Sequence, residues 1–260
     1  PAFRQSPYAP GRFTEPGTRI AIVGDNADEV QRSPAELAVL APPASVCRAL
    51  AERLPQRDAT PPEPYQPPQA PDPPAAGEPL RAGHVLAALA ERLPDEAVVV
   101  EEAPVDRPEL HDRLLARRPL GFLSAAMGGL GFALAGATGV RMALPERPVV
   151  AVVGDGSALY GIQALWSAAH YGVGPLFVIL SNGGYAIMDR LAERQGGRGA
   201  WPAFDVDIAG LARAQGCDAK RISEHGELVQ TLDDVIPTLT HRDQPLLLDV
   251  VIAPTQSFAP

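Results

Sequence analysis

PVVAVVGDGSALYGIQALWSAAHYGVGPLFVILSNGG, residues 148–184, decides the fold. It opens with an apolar run that ends in an acidic glycine turn. A segment of helical character follows, and a second apolar run ends in Asn-Gly-Gly. Continuous apolar runs, rather than alternating ones, predict strands buried on both faces, and the helix between them predicts a parallel crossover. Both turns then fall at the carboxyl ends of strands, where open α/β sheets bind ligands. Each turn pairs small residues with one hard oxygen donor. Asp155 stands between Gly154 and Gly156, which let the backbone turn tightly and approach a ligand. Ser157 begins the next helix, where free N–H groups favour a phosphate. Asn182 offers an amide oxygen, and Gly183 and Gly184 can turn a backbone carbonyl towards the same point. Taken singly, GDG is a common turn or helix cap and NGG a common loop. Together they supply carboxylate, amide and carbonyl oxygens, which with two phosphate oxygens and water complete a Mg²⁺ shell.

The same alternation continues outward. HVLAALAERL, GGLGFALAGATGVRMAL, residues 207–216 and residues 226–240 predict helices; AVVVEE and PLLLDVVIA predict strands. Residues 80–260 are therefore an α/β domain, a parallel sheet with helices on both faces. Proline dominates residues 55–79, which predicts an extended linker without helix or ladder bonds. Before it, TRIAIVG predicts a strand and ASVCRALAERL a helix. A net charge of −9 argues against nucleic acid and anionic membrane surfaces as partners. Cys47 and Cys217 are isolated, so the chain has neither a disulfide framework nor a CxxC site, and a cytoplasmic location is expected. No apolar run is long enough for a membrane span. The five histidines are scattered without metal-ligand spacing.

GDGS and the Asn-Gly turn, each after a strand and separated by one helix, resemble the cofactor motif of thiamine-diphosphate (ThDP) enzymes. PAFRQSPYAPGRF, EPGTRIAIVG, AAMGGLGFALAGATGV, PERPVVAVVGDGSALYGIQALWSAAHYGV and FVILSNGGYAIM extend that resemblance to the benzoylformate decarboxylase-like group. It implies that residues 1–54 are the end of a Rossmann-like middle domain and residues 80–260 the diphosphate-binding (PP) domain. The cofactors it implies are thiamine diphosphate and Mg²⁺, and the activity a lyase or carboligase decarboxylating a 2-oxo acid. An acetolactate-synthase-like acyl-transferring enzyme and a non-catalytic assembly subunit stay open beside it. Carried over residue by residue, Asp155, Asn182 and the Gly184 carbonyl ligate the metal, and Gly154, Gly156 and Ser157 surround the diphosphate. The Gly128 carbonyl faces the aminopyrimidine amine, and Leu130 wedges beneath the bent cofactor; by residue type alone Leu130 is a core leucine. Ile187 and Met188 either line the substrate side or pack in the core. Glu102 and Ala103 occupy a stretch where the family often carries hydroxyls against the diphosphate, and EEAPV has none. The family's catalytic histidine position in FRQSPYAPG is Ser6, which cannot shuttle protons near neutral pH as imidazole does. The resemblance also implies a pyrimidine-binding (PYR) domain. With residues 1–54 forming too little sheet to stand alone, a second polypeptide is expected to carry that domain and the first half of the middle domain, in a heterotetramer or larger assembly.

Overall fold

The computed structural model describes residues 14–56, 58, 60, 63–125, 128–185, 188, 192–193, 196–197 and 205–254. The chain divides between Tyr65 and Gln66 into two compact units.

The first unit is small. Strands β1 (Ala21–Gly24) and β2 (Leu37–Leu40) pair in parallel, Ala21 opposite Leu37 and Gly24 opposite Leu40. Helix α1 (Ala27–Arg32) makes the crossover, and Asn26 caps it by accepting from the Asp28 and Glu29 amides. Helix α2 (Pro43–Arg53) starts on a proline, whose missing N–H is no loss in a first turn. Val30 is buried, whereas Leu37, Leu40, Leu50 and Leu54 are exposed. The sequence located β1 and α2. It did not locate β2, whose four residues carry no alternation.

The second unit is a six-stranded parallel sheet in the order β4-β3-β5-β6-β8-β7. Its strands are β3 (Val98–Glu102), β4 (Phe122–Ser124), β5 (Val149–Gly154), β6 (Leu176–Ser181), β7 (Asp218–Ile222) and β8 (Leu246–Val251). The four central strands are those read from their apolar runs. The edge strands β4 and β7 escaped that reading: β4 has three residues, and β7 is DAKRI, largely polar because an edge strand is covered on fewer sides.

Successive strand residues face opposite layers. Val150, Val152, Val178 and Leu248 pack in one core with Leu86 and Leu89 of α3 (Ala82–Ala90), Leu110 of α4 (Arg107–Arg113) and Leu228 and Leu232 of α9 (His225–Val235). Val149, Ala151, Val153, Phe177 and Ile179 pack in the other with Leu134 of α5 (Ala133–Ala143), Leu165 of α7 (Ala164–His170) and Ile208 of α8 (Ile208–Ala214). Both faces are covered, as expected.

Three differences from the sequence reading have physical causes. The segment after Asp155 is not one helix: α6 (Asp155–Leu159) stops, turns through residues 160–163, and resumes as α7. The turn carries Gly161, where a Cβ would lie 2.9 Å from the Gly131 carbonyl oxygen. Helix α5 starts at Ala133 rather than Gly128, because Gly128 and Gly131 adopt left-handed backbone angles, φ +67° and +93°. The described residues of the proline-rich segment form neither helix nor strand, and those from Gln66 on belong to the second unit. The Pro68 and Gln69 carbonyls accept from Arg113, and the Asp72 carbonyl from His84 Nε2.

The strand order places the site. From β3 the chain goes to the neighbouring edge strand β4, then crosses back to β5 on the other side of β3. The carboxyl ends of β3 and β5 therefore flank a crevice where the connections diverge, the usual ligand position in such sheets.

Candidate functional site

Glu102 ends β3, Asp155 follows β5, and Asn182 follows β6. Gly154 pairs with Leu180 across the two latter strands, so the sheet register itself brings Asp155 and Asn182 to one edge. Asp155 is 3% exposed. Its Oδ1 accepts from the Gly156 amide at 2.8 Å and its Oδ2 from the Gly183 amide at 2.7 Å. The second bond ties the two loops together. Gly183 can face it because its φ is +74°, a region open to glycine. The Asn182 Oδ1 accepts from the Gly184 amide at 3.1 Å, a local turn that fixes the side chain.

Electrostatics single out Asp155. Burial lifts its pKa above the ordinary aspartate value. The amides of Gly183, Gly156 and Asn182 pull it down, and the charge of Asp249 adds to the rise. No salt bridge joins Asp155 to a cationic side chain among the described residues. A buried carboxylate beside an amide oxygen offers a hard cation two oxygen donors. Asp249 lies fully buried on β8 and is itself partnered, accepting from Ser181 Oγ and, at 3.0 Å, from Arg221. Beside the Asp155 and Asn182 loops opens a cavity of about 190 Å³, bordered also by Asp205 and Arg221.

A second loop, Gly128–Gly131, meets the carboxyl end of β3, where the Gly131 amide donates to Glu102. Its two left-handed glycines flank Leu130, which is 39% exposed and so not a core leucine within this chain. A Cβ on Gly131 would lie 3.1 Å from the Tyr160 carbonyl, so this loop abuts the turn after α6 through bare backbone. On the α6 side, the Tyr185 ring rests on Gly156, whose Cβ would come within 2.5 Å of it.

Glu102 and Ala103 behave differently from the stretch that the sequence suggested. Ala103 packs in the core, and its amide donates to Glu101. The Glu102 carboxylate turns to the second loop, accepting from the Gly131 amide at 2.5 Å and the Ala133 amide at 2.6 Å. Burial raises its pKa, opposed by the Ala133, Gly131 and Phe132 amides. Sequence reasoning missed both this connection and the Gly161–Gly131 contact. No local pattern signals a bond between residues 102 and 131. Ser157 is buried at the start of α6, but α6 is a short turn rather than the long helix expected. Met188 is half-buried. Ser6 and Ile187 lie outside the described residues.

The donor chemistry fits a hard cation held jointly with an anionic ligand. Among the described residues, no cluster of three or more His, Cys, Asp or Glu side chains could hold a metal by itself. A metal at this edge would draw on one carboxylate, an amide oxygen and a backbone carbonyl, and would take its remaining oxygens from a ligand and water, a pattern that suits Mg²⁺. Among the described residues no helix is long and apolar enough to cross a membrane.

Comparison with known proteins gives a consistent picture. Residues 110–250 match the family model described as thiamine pyrophosphate enzyme, C-terminal TPP binding domain. The chain is 34% identical over 263 residues to benzoylformate decarboxylase of Pseudomonas aeruginosa, a match covering all of this chain and 48% of that protein. It is 33% identical over 135 residues to the acetolactate synthase large subunit of Parasynechococcus marenigrum, covering 48% of this chain and 22% of that one. Among solved structures, the thiamine diphosphate-dependent 4-hydroxybenzoylformate decarboxylase of Rhodococcus jostii RHA1 superposes with a TM-score of 0.86 at 28% identity, over 98% of this chain and 47% of that one. The chain spans about half the length of these decarboxylases.

Proposed function

We propose, from the premise that the chain belongs to the thiamine pyrophosphate enzyme family and contains its C-terminal TPP-binding domain, that it forms the diphosphate and metal side of a lyase or carboligase active site acting on a 2-oxo acid. The observation that carries this reading is the buried Asp155 carboxylate, tied at 2.7 Å to the loop that bears Asn182. Benzoylformate and 4-hydroxybenzoylformate decarboxylases are similar along nearly the whole chain. That favours decarboxylation of an aryl 2-oxo acid over the acetolactate-synthase alternative, whose similarity covers about half of it.

In this reading Asp155, Asn182 and the Gly184 carbonyl hold Mg²⁺, and Gly154, Gly156 and Ser157 surround the diphosphate. Gly128 and Leu130 support the aminopyrimidine half. When bound, the cofactor supplies a nucleophilic thiazolium carbon and a sink for the electron pair left as CO₂ departs. The chain's residues orient and neutralise. The Asp155 carboxylate balances the metal charge in a site that water reaches poorly, where such interactions are strongest. Leu130, exposed in this chain, gains burial against a ligand.

We propose that the first unit continues its sheet with further strands of a middle domain, and that a pyrimidine-binding domain supplies the other half of the site. Support comes from the first unit, where a two-stranded sheet with exposed Leu37 and Leu40 is too small to bury its own apolar faces.

The test is calorimetry of thiamine diphosphate with Mg²⁺ on the native enzyme, its subunits identified by mass, beside the Asp155→Ala variant. Magnesium-dependent binding by the wild type and its loss in Asp155→Ala are expected. Equal affinity in both would overturn the metal assignment.

A further inference from the structure

Helix α5 has no cap of its own. Its N-cap position is Phe132, which makes no side-chain hydrogen bond to the first turn. Eleven residues of helix thus begin beside a loop containing two left-handed glycines, and the first amides need an acceptor from elsewhere in the chain. Such a loop samples many conformations unless something external selects one.

Glu102 is that external group. It is 2% exposed, at the last position of β3. Strand alternation points Glu101 and Glu102 to opposite faces of the sheet. Glu101 accepts from Arg107 Nε of α4 at 3.0 Å and from Ser124 Oγ of β4 at 2.6 Å. Glu102 shares the α5 face with Val98 and Val100. Its two oxygens separately accept from Gly131 and Ala133, and the intervening Phe132 amide also lowers its pKa. A carboxylate at a helix N-terminus is stabilised by the dipole as well as by the charge-assisted bonds. The cap therefore arrives from a strand that precedes the helix by about thirty residues.

We propose that Glu102 is a positioning residue: its carboxylate locks the Gly128–Gly131 loop, and through it the Gly128 carbonyl and Leu130, in the geometry that the aminopyrimidine half of the cofactor requires. The inference deepens the functional reading above and rests on it. It also assigns Glu102 a role different from the diphosphate contact that its place in the sequence suggested. The metal loops are untouched, so the residue acts on the geometry of the bound cofactor rather than on its retention.

The experiment uses the assembled enzyme, as wild type, Glu102→Gln and Glu102→Ala. Glu102→Gln keeps the size and one acceptor oxygen but sets an NH₂ against a backbone N–H. It serves if Glu102→Ala fails to fold. Hydrogen exchange is read first, without cofactor. Amides 131–133 should exchange at least roughly fivefold faster in the variants, the loss of an N-cap, with strands β5 and β6 unchanged. With cofactor, kcat should fall about 10²-fold, the usual cost of ångström-scale misplacement. Magnesium-dependent affinity and KM should stay the same, and the near-UV circular dichroism of the bound cofactor should change. Unchanged loop exchange would overturn the proposal. So would a loss confined to cofactor affinity with full kcat at saturation, which would make Glu102 a direct contact. If the wild type binds no thiamine diphosphate, the functional reading fails by itself, and loop exchange alone then decides whether Glu102 locks the loop.

Discussion

Replacing Gly161 by alanine tests the idea that the two halves of the site are set by backbone contact. The new Cβ would lie 2.9 Å from the Gly131 carbonyl oxygen and 3.4 Å from its carbonyl carbon and Cα. Ordinary contact would require the two segments to part by about 0.5 Å. Neither can yield through a side-chain rotation, because the clashing atoms are backbone on the Gly131 side and the bonded Cβ on the other. The Gly131 loop is also held from behind by its 2.5 Å bond to Glu102. Overpacking of this kind costs roughly 1–3 kcal/mol. For a unit of this size each kcal/mol lowers Tm by about 2–4 °C. If misplacement by ~1 Å costs about 10²-fold in rate, half of that gives a roughly tenfold fall in kcat. Gly139→Ala is the control, since a Cβ there meets nothing within 4 Å, its φ is not positive and it stands on α5 outside the Gly128–Gly131 loop. Differential scanning calorimetry and steady-state kinetics on both variants supply the comparison. If Gly161→Ala keeps the wild-type Tm and, like Gly139→Ala, the wild-type kcat, the glycine contact does not set the site, and the reasoning is refuted.

Two further predictions follow from buried titratable groups. Cys217 is buried, and burial together with the charge of Asp218 pushes its thiol up to about 12, whereas Cys47 is exposed. A thiol reagent should therefore modify one cysteine in the native protein and the second only after unfolding; fast modification of both would contradict the buried position of Cys217. His84 accepts the Arg81 amide at Nδ1 and reaches the Asp72 carbonyl through Nε2, and burial, reinforced by the Arg81 charge, lowers its pKa from 6.5. The unfolded chain then binds the proton more tightly, so the His84 contribution is intact above the ordinary histidine value and is lost as pH falls through it. Thermal unfolding between about pH 8 and about pH 5 should cost the wild type more stability than His84→Gln, whose side chain does not titrate there; parallel curves would refute it.

What the sequence by itself determined is the local part of this protein. The apolar runs 149–153 and 176–180 have to be buried on both faces, so they are central parallel strands, and their turns have to sit at one end of the sheet. Asp155 and Asn182 were legible for that reason: each lies in a glycine-bearing turn within two residues of such a run, and the register of β5 with β6 does the rest. The edge strands were not legible, because β4 is too short to show a period and β7 carries the polar residues of a partly covered edge. Nor was the role of Glu102. A carboxylate closing an apolar strand reads as a strand end, and only the packing of α5 on the sheet brings the Gly131 and Ala133 amides to it. The break between α6 and α7 was hidden likewise: residues 158–172 have helical character throughout, yet the approach of Gly131 to within contact of Gly161 favours a turn there. Periodicity reports which face of an element is buried. It says nothing of which backbone groups from distant segments meet above the sheet, and in this protein those meetings set the shape of the site.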